Sequence, residues 1–226
     1  MRLSNRTVQI LKTFVNINKS IQFRKGNEIS TLAIQKNVLA RAPVEEDFPQ
    51  DFAIYDLGEF VQVLNLFQDG ELTFDSPSYV TISSGRNQAR YFFADPSIIT
   101  APPTKAPSLP SVEVEFDLSR DDLQRVVQSI NIYKVEDISI VGEPGGHVSI
   151  VVRDRKNDSS NTYSVDVGEA DANFCFNLKA ENLVGKVIPG DYKVKISSKG
   201  ASTWRCTSDS LEYMIALEPD SKYEAG

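Results

Sequence analysis

Leu3 to Lys19 reads LSNRTVQILKTFVNINK, and its spacing predicts an amphipathic helix. Val8, Leu11, Phe14 and Val15 fall on one side of a helical wheel. Arg6, Gln9, Thr13 and Asn16 fall on the other, and Ser4 stands where an N-cap belongs. Arg2, Arg6, Lys12 and Lys19 are the only charged side chains in the first 19 residues, within a chain whose formal net charge is -7. An acidic protein has set one basic surface apart.

The pattern returns at Leu118 to Lys134, LSRDDLQRVVQSINIYK. Leu123, Val126, Val127 and Ile130 make the apolar stripe, Gln124, Arg125, Gln128 and Asn131 lie opposite, and Ser119 and Asp122 are spaced as a capping box. A further helix follows each of these two. One starts after Asp56, with Leu57, Phe60, Val61 and Leu64 as its buried stripe and an almost uncharged opposite side at Gly58, Gln62 and Asn65. The other is expected at Leu178 to Val187, interrupted by Gly185 and ended by Pro189-Gly190. Leu57 lies 54 positions after Leu3 and Leu178 lies 60 after Leu118, which suggests a tandem duplication. The first module is placed at 1–94 and the second at 112–226. Between them, residues 95–111 are rich in proline and form an extended linker.

The remaining segments read as short strands separated by polar turns, among them Ile21 to Phe23, Ile29 to Ile34, Val38 to Ala42, Tyr79 to Ser83, Val148 to Val152 and Ser202 to Thr207. Glu45 to Asp47, between Pro43 and Pro49, is expected as a solvated loop, and Glu218 to Gly226 as a frayed acidic tail. The fold class is therefore α+β: two similar modules, each of antiparallel strands with two helices; sheets outside and the two helices of each module on the inner face are what the resemblance described below implies.

With 226 residues, 41% hydrophobic and 24% charged, the composition is that of an ordinary globular protein with two modest cores. No basic and apolar leader and no long uncharged run marks export or membrane insertion. Cys175 and Cys206 fit two reduced cysteines in an intracellular protein better than a disulfide framework. Catalytic signatures are missing. His147 is the only histidine and borders a Pro-Gly-Gly turn, so no metal site can be built around it. Gly142 to Gly146 lacks the Lys-Ser/Thr ending of a phosphate loop and joins two strands. Asp121-Asp122 and Glu136-Asp137 read as solvated charges. We expect no cofactor, no metal and no enzymatic activity.

What remains is the placement of charge. Residues 1–107 carry 11 Lys and Arg against 11 Asp and Glu, while the rest carry 13 against 20. If the helices share one face, then Arg2, Arg6, Lys12, Lys19, Arg125 and Lys134, with Lys179 and Lys186 from the fourth helix, form a basic surface. The plainer reading makes them the solvated faces of amphipathic helices. Sparse Arg and Lys among Asn, Gln and Thr suit phosphate contacts without base readout, and no aromatic platform for single strands accompanies them.

Several stretches then carry a resemblance. They are Leu3-Ser4 with Lys12, Phe14 and Ile17-Asn18; Ala53-Ile54-Tyr55-Asp56-Leu57; Ala94-Asp95-Pro96-Ser97; Pro189-Gly190-Asp191-Tyr192-Lys193; and Ala216-Leu217-Glu218. In their order and spacing they resemble the DNA sliding clamp of T-even-type bacteriophages, the processivity factor of the phage replicase, over essentially the whole chain. The resemblance implies a homotrimeric ring with sheets outside and helices inside that encircles double-stranded DNA without sequence specificity. It also implies loading by an ATP-dependent clamp loader, tethering of the replicative DNA polymerase, a role in late transcription, and work in the cytoplasm of the infected host. Partner tails are expected in the crevice beneath the linker. Two alternatives stay open: a monomeric DNA-binding processivity subunit, and a structural β-rich phage protein with no nucleic-acid role.

Overall fold

Ser4 opens the first helix as its position predicts. Its Oγ accepts from Thr7 N at 3.2 Å, and the helix α1 runs Asn5–Phe14 with Ile10, Leu11 and Phe14 buried. The structure is a computed structural model describing residues 1–67, 69–157 and 159–224. It divides into two compact units, Met1–Thr104 and Lys105–Gly226.

In the first unit, β1 (Ile21–Phe23) pairs antiparallel with β4 (Phe52–Ile54), and β2 (Gly26–Leu32) pairs with β3 (Val38–Phe48). After β4 comes α2 (Leu57–Leu66), capped by Asp56, whose Oδ1 accepts from Glu59 N at 2.8 Å. A three-stranded sheet completes the unit: β5 (Glu71–Thr73), β6 (Tyr79–Ser84) and β7 (Asn87–Phe92), in that order, with β7 at the edge. Leu57, Phe60, Val61 and Leu64 of α2 are buried as their spacing predicts. They meet an aromatic cluster in which Phe23 and Phe52 stack at 4.4 Å and Phe60 meets Tyr91 edge-on at 5.0 Å. Such ring pairs add to the area they bury.

One expectation fails here. Glu45 to Asp47 is not a solvated loop, because β3 continues through it to Phe48 and Glu46 is buried. Glu46 lies inward because α1 supplies its partners: Thr7 Oγ1 donates to Oε2 at 2.6 Å and Ser4 N donates to Oε1. A buried carboxylate requires such donors.

The second unit holds a five-stranded antiparallel sheet in the order β11 (Tyr163–Glu169), β10 (His147–Val152), β9 (Asp137–Gly142), β12 (Asn173–Lys179), β16 (Lys222–Glu224). Its second set of strands is β15 (Glu212–Ala216), β14 (Ala201–Cys206), β13 (Tyr192–Ser197) and β8 (Val114–Leu118), each hydrogen-bonded to the next. The helix α3 (Arg120–Tyr133) packs on β10 and β11, with Leu123, Val126 and Ile130 buried. Trp204 is fully buried, its Nε1 donating to Ser202 Oγ at 3.0 Å. At Gly142 the ring of Phe174 comes so near that a Cβ would stand 2.4 Å from it, so close packing, not phosphate binding, explains this glycine. Cys175 and Cys206 are both free thiols, in β12 and β14.

The fourth helix is a further correction. Leu178 and Lys179 belong to β12, which stays paired with β9 as far as Lys179↔Asp137. A single 3-10 turn follows at Ala180–Asn182, and Gly185 has φ +71°. Leu178, Leu183 and Val187 are buried, but from a strand end and turns. The expected frayed tail is corrected too: Lys222–Glu224 pairs with β12, and Tyr223 stacks on Phe176. Ala225 and Gly226 lie outside the described residues.

Candidate nucleic-acid interface

The solvent face of α1 is basic because its acidic neighbour points the other way. The positive end of a helix dipole attracts a carboxylate, yet no acidic side chain occupies the first turn. Glu46 meets that demand from below the helix, out of reach of anything approaching from solvent. Lys12 and Lys19 are exposed, and neither makes an ion pair among the described residues. Arg2 is exposed, with its backbone bridged to Glu71. Arg6 is half-buried on the same helix. Beside α1 a groove of about 560 Å³ is lined by the polar Asn5, Gln9, Lys12, Asn65 and Asp69 together with apolar residues that include Leu64 and Phe67. Exposed Gln62 and Asn65 give α2 a face on which Glu59 is the charged residue.

On α3, Arg125 is exposed and stands 3.8 Å from Asp122, a loose pair on the helix surface. Gln128 and Asn131 are exposed beside it. Lys134 caps the helix in the left-handed conformation (φ 54°) with its side chain in solvent, where a cation complements the negative helix end. Arg125 also faces Tyr163, whose phenol is shifted upward, chiefly by burial.

The two cations expected from a fourth helix stand elsewhere. Lys179 lies on β12, 2.7 Å from Asp137 and 3.5 Å from Glu218. Its hydrogen bond to Asp137 is the main influence holding its ammonium above the ordinary lysine range. Such a lysine is already neutralised within its own unit. Lys186 sits half-buried in the turn that replaces the helix. Sequence reasoning also passed over Arg120, exposed at the start of α3, and Arg153 and Lys156, exposed beyond β10. The run Arg153-Asp154-Arg155-Lys156 is the signal that marked the last two. Among the described residues no cluster of His, Cys, Asp or Glu could hold a metal ion, and no helix is long and apolar enough to cross a membrane.

Comparisons with known proteins bear on the family and the fold. Residues 115–219 match the family described as "gp45 sliding clamp, C terminal", and residues 4–100 match "DNA polymerase processivity factor". The sliding clamp of Vibrio phage KVP40 is 35% identical over 223 residues, covering 96% of this chain and 99% of that protein. The sliding clamp of Enterobacteria phage T4 is 29% identical over 231 residues, covering 99% and 100%. Among solved structures, the PCNA2-PCNA3 complex from Sulfolobus tokodaii superposes with a TM-score of 0.69 at 13% identity, covering 96% of this chain and 99% of that one. At that identity the likeness speaks for the fold alone.

Proposed function

This chain belongs to the sliding-clamp family of DNA polymerase processivity factors, and from that premise we propose that three copies close around double-stranded DNA and tether the phage replicative polymerase to it. The family works by topology and not by catalysis. A ring cannot leave a duplex sideways, so a polymerase bound to it is held at the primer end by effective concentration even where its own grip is weak.

The observation that carries the reading is the basic solvent face of α1 in a chain of net charge -7. Arg2, Arg6, Lys12 and Lys19, with Arg125 and Lys134 of the second unit, are the side chains we assign to the duplex. Their contacts are to phosphate, unspecific and labile, as sliding requires. Lys179 leaves the set because Asp137 and Glu218 hold it. Lys186 leaves it with the helix that was to present it.

Closure into a ring needs two different surfaces that fit each other head to tail. The edge strands β7 and β11 supply them. On β7, Tyr91 faces α2, so Ala89 shares that side while Arg90 turns away, over the ring of Tyr79. On β11, Val165 and Val167 share the side of Tyr163, which faces Arg125, while Asp166 turns away to Ser149. An antiparallel register that sets Arg90 against Asp166 of the next copy also sets Tyr91 against Val165 and Ala89 against Val167. One register therefore matches charge on one face and apolar surface on the other.

The same reading assigns an ATP-dependent loader to open the ring, late-transcription factors as further partners, the crevice beneath the linker to partner tails, and the host cytoplasm as the place of work. The test is polymerase processivity on primed circles and on linear templates with open ends. Stimulation should require ATP and the loader and be retained on circles but lost from linear DNA. Equal retention on both would favour a monomer that binds DNA directly, and no stimulation would favour a structural role.

A further inference from the structure

Beyond the helix faces, the far end of α3 carries a pocket of about 180 Å³ between the helix cap and the strand end after β10. It is several times the ~30 Å³ share of one water molecule. Its walls include four cations, Lys134, Arg153, Arg155 and Lys156, and three acids, Glu136, Asp137 and Asp154. The acids are engaged. Asp137 is held by Arg155 at 3.4 Å and Lys179 at 2.7 Å, Glu136 by Lys156 at 3.3 Å, and Asp154 accepts from Lys156 N at 2.9 Å. Arg155 is engaged in turn, by Asp137 and Asp220. Lys134 and Arg153 are exposed and make no ion pair or side-chain hydrogen bond among the described residues. The pocket thus presents two uncommitted positive charges, and Asp154 is the one acid in its wall that no cation pairs among the described residues.

We infer that this pocket is a phosphate seat, in which Lys134 and Arg153 together take one backbone phosphodiester of the encircled duplex. The inference rests on the clamp reading and deepens it. The negative end of α3 opposes an anion here with roughly half a charge and Asp154 with a full one, and two full cations still outweigh them. Arg153 supplies a planar fork that matches phosphate oxygens, and Lys134 supplies a point charge. Lys134 already belongs to the surface assigned to the duplex; Arg153, which lies beyond β10, is the contact that the helix faces do not provide.

The test uses the whole protein and a short fluorescent duplex, with binding followed by anisotropy across a salt series. Lys134→Asn keeps a residue that tolerates the left-handed backbone, and Arg153→Gln keeps length and hydrogen bonding. The double variant should sediment as wild type does, bind more weakly, and show a log K against log salt slope shallower by about one for each seat engaged. A Lys134→Arg, Arg153→Lys variant should restore the slope. An unchanged slope in a double variant of normal assembly overturns the seat while leaving the clamp reading intact. Absence of any duplex binding by wild type overturns the seat, while the clamp reading stands or falls on the comparison of circles with linear templates. Inorganic phosphate at matched ionic strength should compete for the seat and narrow the difference between wild type and variant; a difference that it leaves untouched would mean that the two cations do not form a phosphate site.

Discussion

Glu46 is buried beneath the first turn of α1, where it accepts from Thr7 Oγ1 and Ser4 N. Removing it leaves donors at a helix start with no carboxylate of its own. Glu46→Ala should therefore lower stability by about 2–3 kcal/mol, read from the urea midpoint at constant slope, and Glu46→Gln should lower it less. Tyr91 gives a prediction in pH. Burial first, then the charges of Glu59 and Asp56, push its phenol up to about 12, and its hydroxyl donates to Asp56 O at 3.1 Å. The folded state prefers the neutral phenol, so this contribution is whole below the ordinary tyrosine value near 10 and is lost as pH rises through about 12. The denaturation midpoint should fall over that window, and Tyr91→Phe should flatten the fall. Neither side chain announces itself in sequence. Glu46 lies 39 positions from Thr7, so it reads as one acid in a run of three between prolines.

At the scale of elements, α1, α2 and α3 were legible because each carries its cap and its stripe within a dozen residues. Ser4, Asp56 and Ser119 all cap as their spacing predicts. The segment after Phe176 was not legible in that way. A strand lined with buried Phe174, Phe176 and Leu178 runs on into buried Ala180 and Leu183, and across a strand-to-turn junction such spacing imitates a helical stripe. Only the long-range pairing of Lys179 with Asp137 decides the matter, and pairing partners leave no mark on a local pattern. The edge strands carry the prediction that belongs here. Arg90→Asp or Asp166→Arg alone should weaken assembly about tenfold in sedimentation, an exposed pair being worth no more than about a kcal/mol before like-charge repulsion adds to it. Combining the two should restore assembly. A double variant as weak as either single one would show that these strands do not meet.

Over the whole molecule, charge and connection are both unevenly shared. The neutral first half carries the helix with the basic face, and the second half carries the acid. The connecting stretch divides as well. Ala94 N donates to Ala53 O, Arg24 donates to Pro102 O at 2.6 Å, and Arg41 reaches Thr104 O at 3.1 Å, which fastens the early linker to the first unit. Ser111 Oγ lies 2.9 Å from Ser197 Oγ and begins the hold of the second. No residue from Lys105 to Pro110 makes a hydrogen bond among those described. Exposed Lys105, followed by Ala106, is consequently the bond that a trypsin-like protease should cut first in the native protein. One nick there would yield fragments 1–105 and 106–226, and any ligand that lies across the window would be detected by the delay it imposes on their appearance.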